Sequence, residues 1–206
     1  MSDLTRFISP LLAAAAELPA GRHLVAVAGP PASGKSTLAD ALVDELQRSG
    51  RDAALVPMDG FHLDNGLLEA HGLLDRKGAP NTFDLGGFSR LVAALGAPQE
   101  VIYPVFDRDR DIAIAGAGRV APECEIVVIE GNYLLFDAAG WRDLARFWDV
   151  SAFLAVPESV LYDRLLARWV AAGLNQDAAR ARAESNDLPN AQTIMRQRLR
   201  ADIELE

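Results

Sequence analysis

The stretch His23-Leu24-Val25-Ala26-Val27-Ala28-Gly29-Pro30-Pro31-Ala32-Ser33-Gly34-Lys35-Ser36 decides the fold. Its first seven residues form a short, continuous apolar run, the pattern of a strand buried on both faces of a parallel sheet. The run passes directly into G-x-x-x-x-G-K-[ST], and helical periodicity begins at Lys35 and continues to about Arg48. A strand, a glycine-rich turn and a helix N-terminus in that order aim successive backbone N–H groups at one point and favour an anion there. Gly29 and Gly34 allow a close backbone approach that a Cβ would hinder. Ala32, Ser33, Gly34, Lys35, Ser36 and Thr37 are therefore the expected nucleotide-contacting positions. Lys35 is placed to reach the β- and γ-phosphates of ATP, and the Ser36 hydroxyl to complete a Mg²⁺ shell otherwise made of water and phosphate oxygens.

Working outward, similar apolar runs recur at 53–58, 100–105, 125–131 and 151–156, separated by helical patterns or loops. Strands alternating with helices predict an α/β fold, a doubly wound and mostly parallel sheet with right-handed crossovers. The segment before the first strand spaces Leu4, Phe7, Ile8, Leu11, Leu12 and Ala15 as one face of an amphipathic helix within residues 1–20. The interval 59–99 carries helical pieces near 66–74 and 87–95 around a Gly/Pro-rich loop, the expected wall of an acceptor site. Towards the end, helices are predicted over 158–172 and 176–184, and Leu161, Leu165, Leu166 and Trp169 form a core stripe. The whole is expected to be one domain over 1–206.

The chain has 206 residues, with 20 Lys+Arg against 29 Asp+Glu, a formal net charge of -9. That balance argues against general affinity for nucleic acid or anionic membranes. Cys124 is the single cysteine, so no intrachain disulfide can form, and a reducing, cytoplasmic setting is the natural reading. No run approaches the roughly 20 apolar residues of a membrane span. The expected partner is a small molecule, and the chain a monomer or homodimer.

Two carboxylates complete the chemistry. Glu130 closes the strand Val127-Val128-Ile129 and Asp59 follows the strand 53–58, so both should emerge at the C-terminal edge of the sheet, where ligands of such folds bind. Glu130 is placed to serve the metal. Asp59 is placed to orient an acceptor hydroxyl and take its proton, although Asp59-Gly60 also reads as an ordinary turn. No N-K-x-D signature of guanine recognition occurs. A nucleotide-binding regulator without efficient transfer is the alternative reading, and the presence of a base candidate beside the phosphate loop favours an enzyme.

With the phosphate loop, MDGFH (58–62), RKGAPNTFD (76–84), YPVFDRDRD (103–111), IEGNYLL (129–135) and NDLPN (186–190) in place, the chain resembles the kinase family that contains uridine kinase, phosphoribulokinase and bacterial-type pantothenate kinase. The resemblance extends from residue 22 nearly to the end. It implies the three-layer P-loop NTPase fold with a five-stranded sheet of order 2-3-1-4-5 and an arginine-bearing lid at about 158–185. It also implies Asp59 as base and Glu130 as metal-assisting acid. Arg168 aligns best with the lid arginine, and Arg164 lies on the same helix face four residues earlier. Phe106, Arg108 and Asp111 depart from the relatives' pocket residues, so those residues' substrates do not transfer. Arg108, within Asp107 to Asp111, forms either a polar cup for a hydroxyl-rich or anionic acceptor or a self-neutralising surface loop. His62 either lines the acceptor pocket or packs beside Phe61. Tyr103, Asn132, Asn186 and Asn190 are further acceptor-site candidates. The function expected is ATP- and Mg²⁺-dependent phosphorylation of a hydroxyl on a small pantothenate-like, nucleoside or sugar acceptor.

Overall fold

The computed structural model describes residues 3–206, so the first two residues of the predicted N-terminal helix lie outside the described residues. The elements in chain order are α1 (Asp3–Ala16), β1 (His23–Ala28), α2 (Lys35–Arg48), β2 (Ala53–Pro57), α3 (Asn65–Ala70), α4 (Leu85–Leu95), β3 (Val101–Asp107), β4 (Ile112–Val120), β5 (Ile126–Gly131), β6 (Val150–Leu154), α5 (Glu158–Ala171), α6 (Gln176–Arg182), α7 (Leu188–Arg196) and β7 (Ile203–Leu205). Five strands form a sheet of order β2-β5-β1-β6-β7. All its pairings are parallel. Counting only these five strands, the order is 2-3-1-4-5.

Period-two alternation on the buried strands sends neighbours to opposite layers. Val25, Val27, Ile126 and Val128 pack with Leu11 of α1 and Leu38 and Leu42 of α2. Leu24, Ala26, Val127 and Ile129 pack with Phe88, Val92 and Leu95 of α4 and with Tyr133 on the other face. The result is a helix–sheet–helix sandwich of three layers. At the N-terminal edge Arg22, absent from the pattern reading, donates to the carbonyls of Ala97, Gln99, Ala121, Pro122 and Cys124, satisfying the loops that bracket the hairpin. Among the described residues no helix is long and apolar enough to cross a membrane.

One predicted strand sits elsewhere. Residues 101–107 do not enter the parallel sheet but pair antiparallel with β4 as a separate hairpin. An apolar run has the same signature in a hairpin as in a buried sheet, so periodicity did not separate them. The fifth sheet strand comes instead from the short C-terminal segment β7. Pro104 lies at the hairpin's register shift, where the missing N–H breaks no ladder bond.

The hairpin is fixed against the end of β2. Tyr103 is buried and its hydroxyl donates to Leu55 O at 2.8 Å. Past β2, Met58–Phe61 form one turn of 3₁₀ helix, and a Cβ on Gly60 would lie 2.0 Å from Pro104 O. Gly60 is therefore required by close backbone approach, in addition to any turn propensity of the Asp-Gly pair. Gly60→Ala should destabilise the fold by about 1–3 kcal/mol, the usual range for forced overpacking. Urea unfolding measures it, and a midpoint shift equivalent to less than about 0.5 kcal/mol, as at an indifferent surface position, would contradict this packing.

Candidate active site

The phosphate loop is built by β1 running into α2. Ala32 and Gly34 adopt positive φ of 62° and 96°, turning the chain so that α2 begins at Lys35 with its free N–H groups facing the loop's concavity. A Cβ at Gly29 would meet Ser33 Oγ at 2.8 Å and Leu154 O at 3.0 Å, so only glycine fits between the loop and β6. Ser33 Oγ is buried without a hydrogen-bond partner. Thr37 is exposed in the first turn of α2.

Register places both carboxylates at this loop. In the parallel ladders Glu130 lies beside Val27 of β1 and Pro57 of β2, two residues before Asp59. Lys35 Nζ lies 3.9 Å from Glu130 Oε2, and the Ser36 hydroxyl is close enough to the same carboxylate to favour its charged form. Burial pushes the Glu130 carboxyl up, Lys35 opposes that, and Asp59 adds to it. Its Oε2 has no hydrogen-bond partner, an expensive condition for a buried carboxylate oxygen. No cluster of three His, Cys, Asp or Glu forms a protein-only metal cage among the described residues. One serine hydroxyl and one under-satisfied carboxylate suit a cation that keeps most of its shell as water and phosphate oxygens.

Asp59 is half-buried, and Arg108 Nη2 donates to its Oδ2 at 2.7 Å. Burial would raise the carboxyl, but His62 in its protonated form, together with Lys35, Arg108 and Arg168, outweighs it and holds the group below the ordinary carboxylate value. His62 is stacked on Phe83 and Phe106, with ring centroids 4.1 and 4.6 Å away. Its Nδ1 lies 2.8 Å from Asp59 O. A carbonyl only accepts, so Nδ1 carries the proton and Nε2 is the free lone pair of the neutral ring. Burial lowers the imidazole pKa, with Asp59 pulling the other way.

The predicted lid divides its work. Arg164 Nη1 donates to Ala32 O and Ser33 O at 3.2 and 2.9 Å, fastening α5 to the outside of the phosphate loop. Arg168, one turn on, is close enough to Asp59 and Arg108 for their charges to bear on it. Trp169 is only partly buried and is no simple core residue. The guanidiniums of Arg168 and Arg182 lie over its ring, each 5.4 Å from the centroid, and its Nε1 donates to Asp187 Oδ2 at 2.6 Å. The polar helix predicted to Glu184 ends at Arg182 and continues as a π turn over Ala183–Asp187.

That π turn carries Asn186 inward. Its Nδ2 donates to Lys77 O at 2.8 Å, Asn190 donates to its Oδ1 at 3.4 Å, and both side chains are buried. Arg182 donates to Asp75 O and Lys77 O, and Tyr133 to Gly78 O. Asn186, Asn190 and Tyr103 thus have their polar groups taken up inside the protein, whereas Asn132 Oδ1 is buried without a partner beside Glu130 in sequence. The structure brings Lys35, Ser36, Asp59, His62, Arg108, Glu130 and Arg168 together. Pattern reading missed Lys77, whose ammonium donates to Asn65 Oδ1, Asp111 O and Asp111 Oδ2 and sits over the Phe106 ring. Its only signal was its place in RKGAPNTFD.

The sequence profile of the "Phosphoribulokinase / Uridine kinase family" matches residues 24–205. The chain belongs to that family and is a small-molecule kinase with the nucleotide-binding P-loop fold. It is 56% identical to a crystal structure described as a "putative fructose transport system kinase" from Silicibacter sp. TM1040, with a TM-score of 0.92 and 98% of each chain covered. It is 34% identical to "Uncharacterized protein YggC" of Escherichia coli, over 91% of this chain and 79% of that one. It is 32% identical to "Putative uridine kinase C227.14" of Schizosaccharomyces pombe, over 90% and 83% respectively.

The arrangement around His62 generates a titration prediction. By NMR the His62 ring should titrate below 6.5, and further below in Asp59→Asn, because removing the carboxylate removes an interaction that raises it. A midpoint at or above 6.5, or an upward move in the variant, would contradict the geometry.

Proposed function

We propose that the protein transfers the γ-phosphoryl group of ATP directly to a hydroxyl of a small metabolite, with Asp59 as the base. The observation that carries this reading is the position of an ionised Asp59 just past the C-terminal end of β2, two residues beyond the ladder partner of Glu130 and within reach of the Lys35 charge. Loop amides at Ala32–Thr37 and Lys35 would hold the phosphates. Ser36 and Glu130 would hold Mg²⁺, which when bound neutralises phosphate charge. Asp59 then orients the acceptor hydroxyl in line with the γ-phosphorus and accepts its proton as the new O–P bond forms. The bond from the γ-phosphorus to the β–γ bridging oxygen breaks, and ADP leaves with the electron pair. Arg168, exposed on α5 and close enough to Asp59 for their charges to interact, neutralises charge on the transferred group.

Substitution separates these roles. Asp59→Asn should lower acceptor-dependent ADP release by roughly 10²- to 10⁴-fold, with ATP affinity little changed. Near-normal turnover in that variant would remove Asp59 from the mechanism. Lys35→Ala should instead weaken ATP binding and transfer together, as read by calorimetry and ADP release. A variant that binds ATP normally would show that the ammonium serves only Glu130.

A further inference from the structure

The acceptor side of the cleft presents charge where a nucleobase would need an open ring. Phe83 is engaged by His62, Tyr133 and Trp141. Phe106 is engaged by His62 and by the Lys77 ammonium. Arg108, by contrast, is exposed, and among the described residues a single one of its five N–H groups has an acceptor, Asp59 Oδ2. The acids of its own loop do not compete for it. Asp107 takes the Arg110 amide at 3.0 Å and faces the Arg110 guanidinium at 3.8 Å, while Asp111 is held by Lys77 and Asn65. The charge of Asp59 bears on both Arg108 and Arg168, although Asp187 attracts Arg168 more strongly, and the two guanidiniums repel each other.

We infer that Arg108 is the acceptor's anion clamp: the acceptor is a small aliphatic hydroxy compound bearing a carboxylate or phosphate, and its anionic group takes over the Arg108 guanidinium. The exchange has two consequences. It places the acceptor hydroxyl beside Asp59, and it releases Asp59 Oδ2 from its ion pair so that the oxygen can receive the hydroxyl proton. A planar guanidinium with free, parallel N–H groups matches either anionic group in bidentate fashion. The inference rests on the proposed transfer reaction with Asp59 as base.

The test uses the full chain with ADP or ATP and Mg²⁺ against four sets of compounds: hydroxy acids, sugar phosphates, the neutral polyols and sugars that match them, and nucleosides. Thermal shift reports binding in the ADP complex, and ADP release from ATP reports transfer. At least one anionic set should stabilise the protein and be used at roughly 10-fold or more lower concentration than its neutral counterpart. Response to hydroxy acids alone, or to sugar phosphates alone, identifies the anionic group. Arg108→Gln should raise the KM for that acceptor by roughly 10- to 100-fold while the KM for ATP stays the same, and Arg108→Lys should recover part of the loss. A merely structural arginine would not produce charge-selective loss. Neutral sugars or nucleosides used as well as anionic compounds, an acceptor KM within about 2-fold in Arg108→Gln, or no anion-dependent response in any set would overturn the inference. The first two of those outcomes would leave the kinase reaction standing. An Arg108-dependent stabilisation without ADP release would support the clamp and contradict the transfer reaction.

Discussion

Lys35 pairs with Glu130 and its charge also bears on Asp59, two carboxylates that the sheet brings to the same edge, and the site depends on that balance. Parallel pairing of β2, β5 and β1 leaves no freedom in where Glu130 and Asp59 emerge, because the register that buries Val56, Ile129 and Ala26 also brings both acids to the same edge. Two carboxylates so placed, one of them buried, would protonate or repel without a cation. The phosphate loop supplies that cation from the first residue of α2, so the turn that cradles phosphate also opposes the upward pull of burial on both acids. Glu130, the more deeply buried of the two, has its pKa raised, and Asp59, faced by Arg108 and Arg168 as well, has its pKa lowered. Opposite shifts in neighbouring acids match the division between a metal-assisting group and a proton acceptor poised beside a guanidinium.

The second constraint is steric. Pro104 O against Gly60 and the Tyr103 hydroxyl on Leu55 O seat the β3–β4 hairpin on the end of β2, and this seating lets Arg108 reach across to Asp59. From the other side, Asn186 and Arg182 hold the carbonyl of Lys77, whose ammonium in turn ties Asp111 and Asn65 at the base of the hairpin loop. Helix α6, the π turn and the hairpin loop thus meet at Lys77.

How much of this was legible in the residues follows from the range of each interaction. The phosphate loop, α2 from Lys35 to Arg48 and the edge position of Asp59 and Glu130 depend on local pattern and on the rule for parallel sheets, so they could be read directly. The placement of 101–107 in a hairpin could not, since a buried apolar strand looks the same in either sheet. Arg22, Lys77 and Arg182 act on backbone carbonyls far away in sequence, and nothing in their neighbourhoods marks those partners. Trp169 has the spacing of a core residue, and its partners on α6 and the π turn become visible only once the helices are packed. For Arg108 the sequence left a polar cup and a self-neutralising loop open. The geometry separates Arg108 from its acidic neighbours and pairs it with Asp59.

The account stands or falls on what becomes of the γ-phosphoryl group. ³¹P NMR of the full protein with ATP, Mg²⁺ and a dialysable extract of small metabolites follows it directly. Transfer with Asp59 as base produces a new phosphomonoester resonance that grows in step with ADP and is absent with Asp59→Asn. Growth of inorganic phosphate alone, matched to ADP, would contradict it.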